Sequence, residues 1–270
     1  MTPLTFTTRA APLQRLDLSP LTPQNLAGKT VAEIERIALQ TTRRGVTVAD
    51  VFRVREGDLA TIVFEGGHAR FDRVGMGLTA GAILVEGEVG VEAGRAMTGG
   101  RLTIRGAAGP FAASGMKGGL LEIDGDADER LGGPLSGETV GMSGGLVHVR
   151  GDVGPRVGDR LRRGAILVEG RAGAYAGSRM IAGTLAIGEA AGDLPGYLMS
   201  RGTILLGKGA TLLSPTFGDC GEHDLVAARL LADYVASASA KLARLFRRPL
   251  RRLAGDLAAL GKGEILIPRR

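Results

Sequence analysis

The sequence predicts an all-β protein: a right-handed parallel β-helix of seven to eight coils, with short helical caps at its N- and C-termini. The first observation behind this prediction is a column of glycines with a fixed spacing. The steps between them are 19, 19, 26, 19, 19 and 19 residues, at Gly81, Gly100, Gly119, Gly145, Gly164, Gly183 and Gly202. One unit therefore recurs seven times, with a single insertion of seven residues. Such self-similarity is typical of solenoid proteins, in which each unit stacks on the one before.

The second observation is a pair of aliphatic positions after every column glycine. Ile, Leu or Val stands at the second and fourth residue in all seven units, from Ile83 and Val85 to Ile204 and Leu206. Alternation with a period of two sends both side chains to one face of a strand. Each unit is therefore expected to supply one strand with a buried face. The segment Thr61 to Gly66 is similar to an imperfect earlier coil.

The third observation is the length of the unit. Nineteen residues are too few for a strand, a crossover helix and a parallel strand, and no helical spacing of sufficient length occurs between Gly75 and Lys208. Three short strands per turn of a parallel β-helix remain. Left-handed hexapeptide-repeat helices, found in acyltransferases and some carbonic anhydrases, prefer a period divisible by six. Since nineteen is not, the right-handed form is favoured.

Further positions recur with the same spacing. Glycine columns that begin at Gly87, Gly90 and Gly94 predict tight corners with positive φ. Three residues before each column glycine stands Leu or Met, as in Leu78, Met97, Met116, Met142, Leu161, Met180 and Met199. A thioether column could bind a metal, but adaptable packing at an inner corner is favoured.

Alternate residues of the strands are expected to point outward. Their charge alternates along the stack at Glu86, Arg105, Asp124, Arg150 and Glu169, which predicts a ladder of salt bridges that helps set the register. An active-site carboxylate pair is the alternative. The outward positions also hold Leu84, Leu167 and Leu205, which indicate a covered or partner-facing side.

Three domains are predicted. Residues 1–57 form an N-terminal cap with a short helix that a Thr30 and Glu33 capping box opens and that runs to about Gln40. Residues 58–213 form the β-helix. Residues 214–270 form a basic helical tail, in which apolar residues follow a mostly helical spacing from Asp224 to about Phe246, before Pro249.

The composition predicts a soluble cytoplasmic protein without a membrane or nucleic-acid partner. Hydrophobic residues make up 44% without a long apolar run, and aromatic residues only 4% without Trp. Cys220 is a lone cysteine, so it can neither form a disulfide within the chain nor hold a metal by itself. His68, His148 and His223 fall at different positions of the unit, and His148 is expected at the surface or at an interface. We therefore predict no catalytic and no metal-binding residue.

Positive charge concentrates at two places in a chain of net charge +6. From residue 221 to the end, ten basic residues face five acidic ones. A second cluster lies on successive units and consists of Arg150, Arg156, Arg160, Arg162, Arg163, Arg171 and Arg179. It is interpreted as a solvated or partner-facing surface, with a polyanion site as the second interpretation and nucleic acid as the third. The insertion, GPLSGET, presents Ser136 and Glu138 as a possible interface loop, although a harmless bulge is an equal alternative.

The coil motif itself resembles a known family. The pattern G-M-x-G-G-x-x-x-[VI]-x-G, at residues 115–125 and 141–151, resembles the glycine-repeat β-helix shared by the C-terminal domain of glutamate synthase and the C subunit of formylmethanofuran dehydrogenases. The flanking segments LTPQNLAGKT, SPTFGDCGEHDL and GDLAALGKGEIL resemble the C subunit, whose length also matches nearly the whole chain.

That resemblance implies a chain without its own catalytic site. The archaeal assemblies add tungsten or molybdenum and iron–sulfur subunits. The bacterial formyltransferase/hydrolase complex instead moves a formyl group from tetrahydromethanopterin to a methanofuran-type carrier and releases formate. The Arg- and Ala-rich composition resembles the bacterial form, so the chain is expected to be a scaffold of that complex. The C subunit of a dehydrogenase and a stand-alone β-helix binding module are the alternatives.

The resemblance also implies partners and cofactors. An amidohydrolase-like subunit that holds zinc, a formyltransferase and further subunits would surround this chain, which binds no cofactor alone. Carriers of the family have glutamate-rich tails, so a polyglutamylated carrier could be attracted by the arginine cluster through screened charge.

Overall fold

The computed structural model describes residues 2–39 and 45–269, and most of their regular structure is β. The strands are β1 Pro3–Thr8, β2 Leu16–Asp17, β3 Ala38–Leu39, β4 Val46–Thr47, β5 Phe52–Arg55, β6 Asp58–Glu65, β7 Phe71–Asp72, β8 Ala82–Glu86, β9 Thr98–Ile104, β10 Lys117–Ile123, β11 Ser143–Val149, β12 Arg163–Val168, β13 Thr184–Ile187, β14 Arg201–Leu206, β15 Gly218–His223, β16 Leu250–Gly255 and β17 Lys262–Pro268. The helices are α1 Pro23–Leu26, α2 Val31–Glu35, α3 Val48–Val51, α4 Val226–Ala236 and α5 Ala240–Phe246. The predicted all-β class is confirmed.

A sheet of 13 strands organises the molecule, in the order β15-β16-β17-β14-β13-β12-β11-β10-β9-β8-β6-β1-β5. From β6 to β14 every pair is parallel and joins consecutive units. Equivalent residues lie side by side: Ile62 pairs with Ile83, and Ile83 with Leu102. The early segment at residues 61–66 is therefore in register with the regular units. We call the units from β6 to β14 the repeat stack.

A second column of contacts runs along the repeat stack. Isolated parallel bridges join Val89 to Ala108, Ala108 to Ala127, and so on to the pair of Ala191 with Ala210. The chain therefore returns to the same place once per unit at two separate positions. The seven-residue insertion leaves this pattern intact, since Ala127 pairs with Val153 across it.

The interior of the stack is aliphatic. All fourteen paired Ile, Leu and Val side chains are at most 1% exposed, and the Leu and Met column is fully buried. Burial of each such side chain stabilises the fold by about 1.5–3 kcal/mol. The predicted packing role of the methionines is confirmed.

Glycine serves two different purposes in the stack. The column from Gly81 to Gly202 has positive φ throughout, as does the corner column from Gly94 to Gly196, in which Ala113 takes the same conformation. The expectation of positive φ is wrong for the column that begins at Gly90, and for the column that begins at Gly87 beyond Gly87 itself. The backbone there is ordinary, and a Cβ at Gly109 or Gly154, for example, would meet the preceding unit's backbone at 2.7–2.8 Å. Close stacking therefore requires those glycines.

The N-terminal segment covers the first unit. Strand β1 pairs parallel with β6 and antiparallel with β5, and four rings pack together at Phe6, Phe52, Phe64 and Phe71. The Thr30 and Glu33 capping box is confirmed. The predicted helix is too long, because α2 ends at Glu35 and the chain then forms β3; Gln40 lies outside the described residues.

The C-terminal segment contains strands that the sequence patterns do not predict. Besides α4 and α5 it forms β15, β16 and β17, and β17 pairs parallel with β14, with Ile265 beside Ile204. An aliphatic strand is what the open edge and core of the last unit require. The domain limits at residues 57 and 213 stay predictions. Across residues 2–39 and 45–269, no helix is long and apolar enough to cross a membrane.

Candidate functional site

The C-terminal helices cover one side of the sheet. Leu167 and Leu205 point outward from their strands and are nevertheless fully buried. They form a second core with buried residues of the two helices, including Ala232, Val235, Leu242 and Phe246. The predicted covered side is confirmed for both leucines, while Leu84 is half-buried.

A polar cluster lies under the same helices. His148 is only 2% exposed and is buried within its own chain, so its predicted position at the surface or at an interface is wrong. Its Nε2 lies 3.1 Å from Glu169 Oε1, and the Ser239 hydroxyl donates to the same oxygen at 2.7 Å. Lys241 donates to the Glu169 backbone carbonyl at 2.8 Å. The tail thus supplies Ser239 and Lys241 as hydrogen-bond partners of Glu169, which is in turn the partner of His148.

The electrostatics of this cluster indicate a structural role. Burial, the largest single effect, raises the pKa of Glu169. The hydrogen bonds from Ser239 and His148, together with nearby positive charge, lower it more, so the net pKa lies below its usual value. The Ser239 oxygen also accepts from the Leu242 N–H, as the N-cap of α5. Its hydroxyl faces a carboxylate and has no imidazole nitrogen as a hydrogen-bond acceptor. The arrangement therefore fastens the tail to the repeat stack.

The predicted salt-bridge ladder is present in part. Asp124 accepts from Arg105 at 2.8 Å and forms an ion pair with Arg150. Glu169 binds the tail instead of Arg150, and Glu86 has no ion pair within residues 2–39 and 45–269. Ion pairs of alternating charge therefore connect three neighbouring units through Arg105, Asp124 and Arg150. In the next unit, Glu169 contacts the tail instead of pairing with Arg150.

The seven arginines of the predicted cluster do not share one face. Arg156, Arg160 and Arg179 lie at the corners of the units, with positive φ. Arg179 forms an ion pair with the fully buried Asp159, to which the Ser178 hydroxyl also donates at 2.8 Å. The ion pair of Arg179 with Asp159 therefore connects two neighbouring units.

The other two corner arginines keep part of their donors free. Arg156 stacks its guanidinium over the Tyr175 ring at 4.9 Å from the centroid. Arg160 donates to the Thr139 carbonyl at 3.1 Å, which ties the insertion to the stack. Both side chains are half-buried.

The remaining four arginines lie at the two ends of the strands. Arg150 and Arg171 are exposed after the C-terminal ends of β11 and β12, and Arg150 is paired with Asp124. Arg162 and Arg163 are exposed where β12 starts, and neither forms a hydrogen bond or ion pair through its side chain with any described residue.

The insertion forms a short, self-bonded loop. Glu138 accepts from Arg95 at 2.6 Å and from the Leu135 N–H at 3.0 Å, and the Arg95 guanidinium lowers the pKa of Glu138. Ser136 is exposed. Between this loop and the stack lies a cleft of about 530 Å³, which Lys117 and Arg162 line.

Sequence reasoning missed one set of cations. Exposed basic residues stand one or two positions before a column glycine, where the strands start: Lys117, Arg162, Arg163, Arg201 and Lys262. We call these five residues the strand-start stripe. The spacing of the repeat places Lys117 and Arg201 there, so the signal was available in the sequence. Lys262 could not be assigned to this set from the sequence, because strand β17 was not predicted.

Metal-ligand and apolar features complete the surface. Within the part of the chain that the structure describes, no group of three or more His, Cys, Asp or Glu side chains could hold a metal ion.

The outer face of α4 exposes Val226, Leu230 and Tyr234 at 70%, 66% and 53%. Apolar side chains at this helical spacing are typical of a surface that packs against another protein.

The comparisons with known proteins identify relatives that match nearly the whole chain. No family model matches. The C subunit of the formyltransferase/hydrolase complex Fhc from Methylorubrum extorquens is 56% identical over 255 residues, which are 94% of this chain and 96% of the relative.

A solved structure agrees with that match. A chain of the X-ray structure of the formyltransferase/hydrolase complex FhcABCD from Methylorubrum extorquens, in complex with methylofuran, superposes with a TM-score of 0.94. The identity is 45%, and the superposition covers 98% of this chain and 100% of the other. Identity at this level along nearly the full length of both chains shows common descent. The chain belongs to the family formed by the C subunits of formyltransferase/hydrolase complexes.

Proposed function

We propose that this chain is the non-catalytic scaffold of a cytoplasmic formyltransferase/hydrolase complex. The observation that carries the proposal is the match to the C subunit over 94% of this chain and 96% of the relative. Both relatives belong to a formyltransferase/hydrolase complex, which favours this assembly over the dehydrogenase. The structure adds that the polar groups of the His148 cluster and the corner carboxylate Asp159 hold the fold together.

The proposed reaction belongs to the partner subunits. A formyltransferase subunit passes the formyl group from tetrahydromethanopterin to the amine of a methanofuran-type carrier. An amidohydrolase-like subunit with bound zinc then adds water across the formyl–nitrogen bond, which releases formate and restores the carrier amine. The superposed complex was solved with methylofuran, which supports a carrier of this type.

We propose that the repeat stack is a right-handed parallel β-helix. Two columns of parallel contacts, 19 residues per unit and an aliphatic interior support this architecture. A closed stack in which each unit contacts its neighbours along its whole perimeter bends little. Such rigidity suits a scaffold that keeps two active sites at a fixed separation.

A contact with a polyglutamylated carrier is proposed at the corner arginines Arg156 and Arg160. Stacking over Tyr175 orients the Arg156 guanidinium and leaves its edge N–H groups free for a carboxylate. The double variant Arg156→Gln/Arg160→Gln should raise the Michaelis constant for a long-tailed carrier and leave that for a tail-free analogue unchanged. Arg244→Gln/Arg248→Gln removes the same charge from exposed positions on the tail and is the matched control. An unchanged Michaelis constant would refute this contact.

The proposed function is tested by purification through a tag on this chain from its native host. Mass spectrometry should identify amidohydrolase-like and formyltransferase subunits in constant proportion, and the eluate should transfer formyl groups and release formate. The isolated full chain should catalyse neither step. Recovery of iron–sulfur and tungsten or molybdenum proteins would indicate the dehydrogenase, and recovery of the chain alone would indicate an independent module. Either result would refute the proposal.

A further inference from the structure

We infer that the strand-start stripe binds an extended acidic segment of a partner polypeptide. The inference rests on the proposed function, because it needs a partner subunit. The stripe comprises Lys117, Arg162, Arg163, Arg201 and Lys262, all exposed. None of the five forms a side-chain hydrogen bond or ion pair with another residue in the described ranges 2–39 and 45–269.

The register of the sheet places these cations within one residue of a common line across the strands. Arg163 pairs with Ser143, Lys117 with Gly144, and Arg201 with Lys262. Five strand-to-strand steps separate β10 from β17 in the sheet order. At a spacing of about 4.8 Å per strand, the line from Lys117 to Lys262 is about 24 Å long.

The carboxylates near this line are already occupied. Arg101 binds Glu122 at 2.7 Å, and Arg252 binds Glu264 at the same distance. Glu138, across the cleft at one end of the stripe, is bound to an arginine of the stack. Five positive charges therefore repel one another without an internal counter-charge, and an external polyanion would relieve that repulsion.

The surface beside the cations suits an extended chain. Each unit has one or two half-buried glycines next to the stripe, at Gly118, Gly119, Gly144, Gly145, Gly164, Gly183 and Gly202. A lane without side chains allows another backbone to approach closely. At about 3.3 Å per residue, a segment of roughly seven residues would span the stripe.

The chemistry of the stripe favours a polypeptide over nucleic acid. A single strand of nucleic acid binds best where aromatic rings stack on its bases, and the stripe contains only Lys and Arg. Carboxylates on alternate residues of an extended peptide point to the same side, about 7 Å apart, and can reach successive cations. The expected occupant is thus a segment rich in Asp and Glu.

Zero-length coupling of carboxylates to amines tests the inference in the purified complex. The two stripe lysines, Lys117 and Lys262, should both couple to Asp or Glu of one contiguous partner segment, which peptide mass spectrometry identifies. Coupling only to carboxylates of this chain, or to a small non-peptide acid, would overturn the inference. Coupling to partner carboxylates scattered over several segments would overturn it too.

Charge removal provides a second and independent measurement. In Arg162→Gln/Arg163→Gln/Arg201→Gln both lysines remain available, and the yield of the partner cross-link should fall at least fivefold. The matched control, Arg53→Gln/Arg244→Gln/Arg248→Gln, removes three exposed charges elsewhere that form no side-chain ion pair with a described residue, and it should change the yield less than twofold. Equal cross-link yields in the two variants would refute the inference that the strand-start stripe binds an acidic segment.

The two proposals fail in distinguishable ways. Subunits that copurify with the chain are counted before coupling. Their absence would refute the proposed function and the inference with it. Their presence without a cross-link at either lysine would refute the inference alone.

Discussion

The buried ion pair between Asp159 and Arg179 offers the sharpest test of how the units are held together. Asp159 is fully buried, and apart from Arg179 its carboxylate accepts from Ser178. Arg179→Ala would leave that carboxylate without its counter-charge. Breaking a fully buried pair in this way costs about 3–5 kcal/mol. Since the Arg179 side chain is 36% exposed, solvent screens part of the interaction, and we expect a loss of about 2–3 kcal/mol.

A second variant separates the effect of the unpaired Asp159 charge from the effect of the lost Arg179 packing. Arg179→Ala/Asp159→Asn removes the buried charge as well, so it should recover more than half of the stability that Arg179→Ala loses. Thermal unfolding followed by far-UV circular dichroism measures both variants. A loss of this size lowers the melting temperature by roughly 4–12 °C in a chain of this length. A loss below about 0.5 kcal/mol, or no recovery in the double variant, would show that the Asp159–Arg179 pair does not hold the units together.

Three further predictions concern the tail and the stack. Phe246→Ala empties a fully buried position between α5 and the sheet and should cost about 3–5 kcal/mol, seen as faster hydrogen exchange in α4 and α5 with the stack unchanged. Glu169 has a lowered pKa in the folded state, so its stabilising contribution is complete above its unfolded pKa and is lost as the pH falls through the lower folded pKa. The melting temperature of Glu169→Gln should therefore fall less steeply on the acid side than that of the parent. An equally steep fall in the variant and the parent would contradict this prediction. Gly144→Ala puts a Cβ at 2.1 Å from the Lys117 carbonyl oxygen and should prevent soluble expression. Gly45→Ala, whose Cβ would meet no atom of the described residues within 4 Å, should express and melt like the parent.

The repeat stack was predictable because its information is local and repeated. A glycine at a fixed step, followed by two aliphatic residues, defines the strand, its buried face and its register in each unit, and this pattern recurs in seven units. The covered side was predictable in part for the same reason, since Leu167 and Leu205 are apolar at outward positions, although Leu84 gave the same signal and is only half-buried. The polar residues at such positions gave no equivalent signal.

The errors arose where a distant segment supplies the environment. His148 is polar and outward, so its unit alone places it at the surface. It is nevertheless buried, and it lies against the Glu169 oxygen to which Ser239, more than ninety residues later, also donates. Strand β17 was missed because its aliphatic pair occurs once, outside the period. The arginine cluster was interpreted as one face because its members are close in sequence, yet they occupy corners and both strand ends.

We propose that the chain joins two active sites without catalysing either step. The most direct measurement compares the intact complex with the same partner proteins assembled without this chain. It follows formyl transfer, formyl-carrier hydrolysis and the overall conversion to formate. Both half-reactions should persist without the chain, whereas the overall rate at limiting carrier should fall at least tenfold. An unchanged overall rate, or a half-reaction that the isolated chain restores by its own activity, would contradict it.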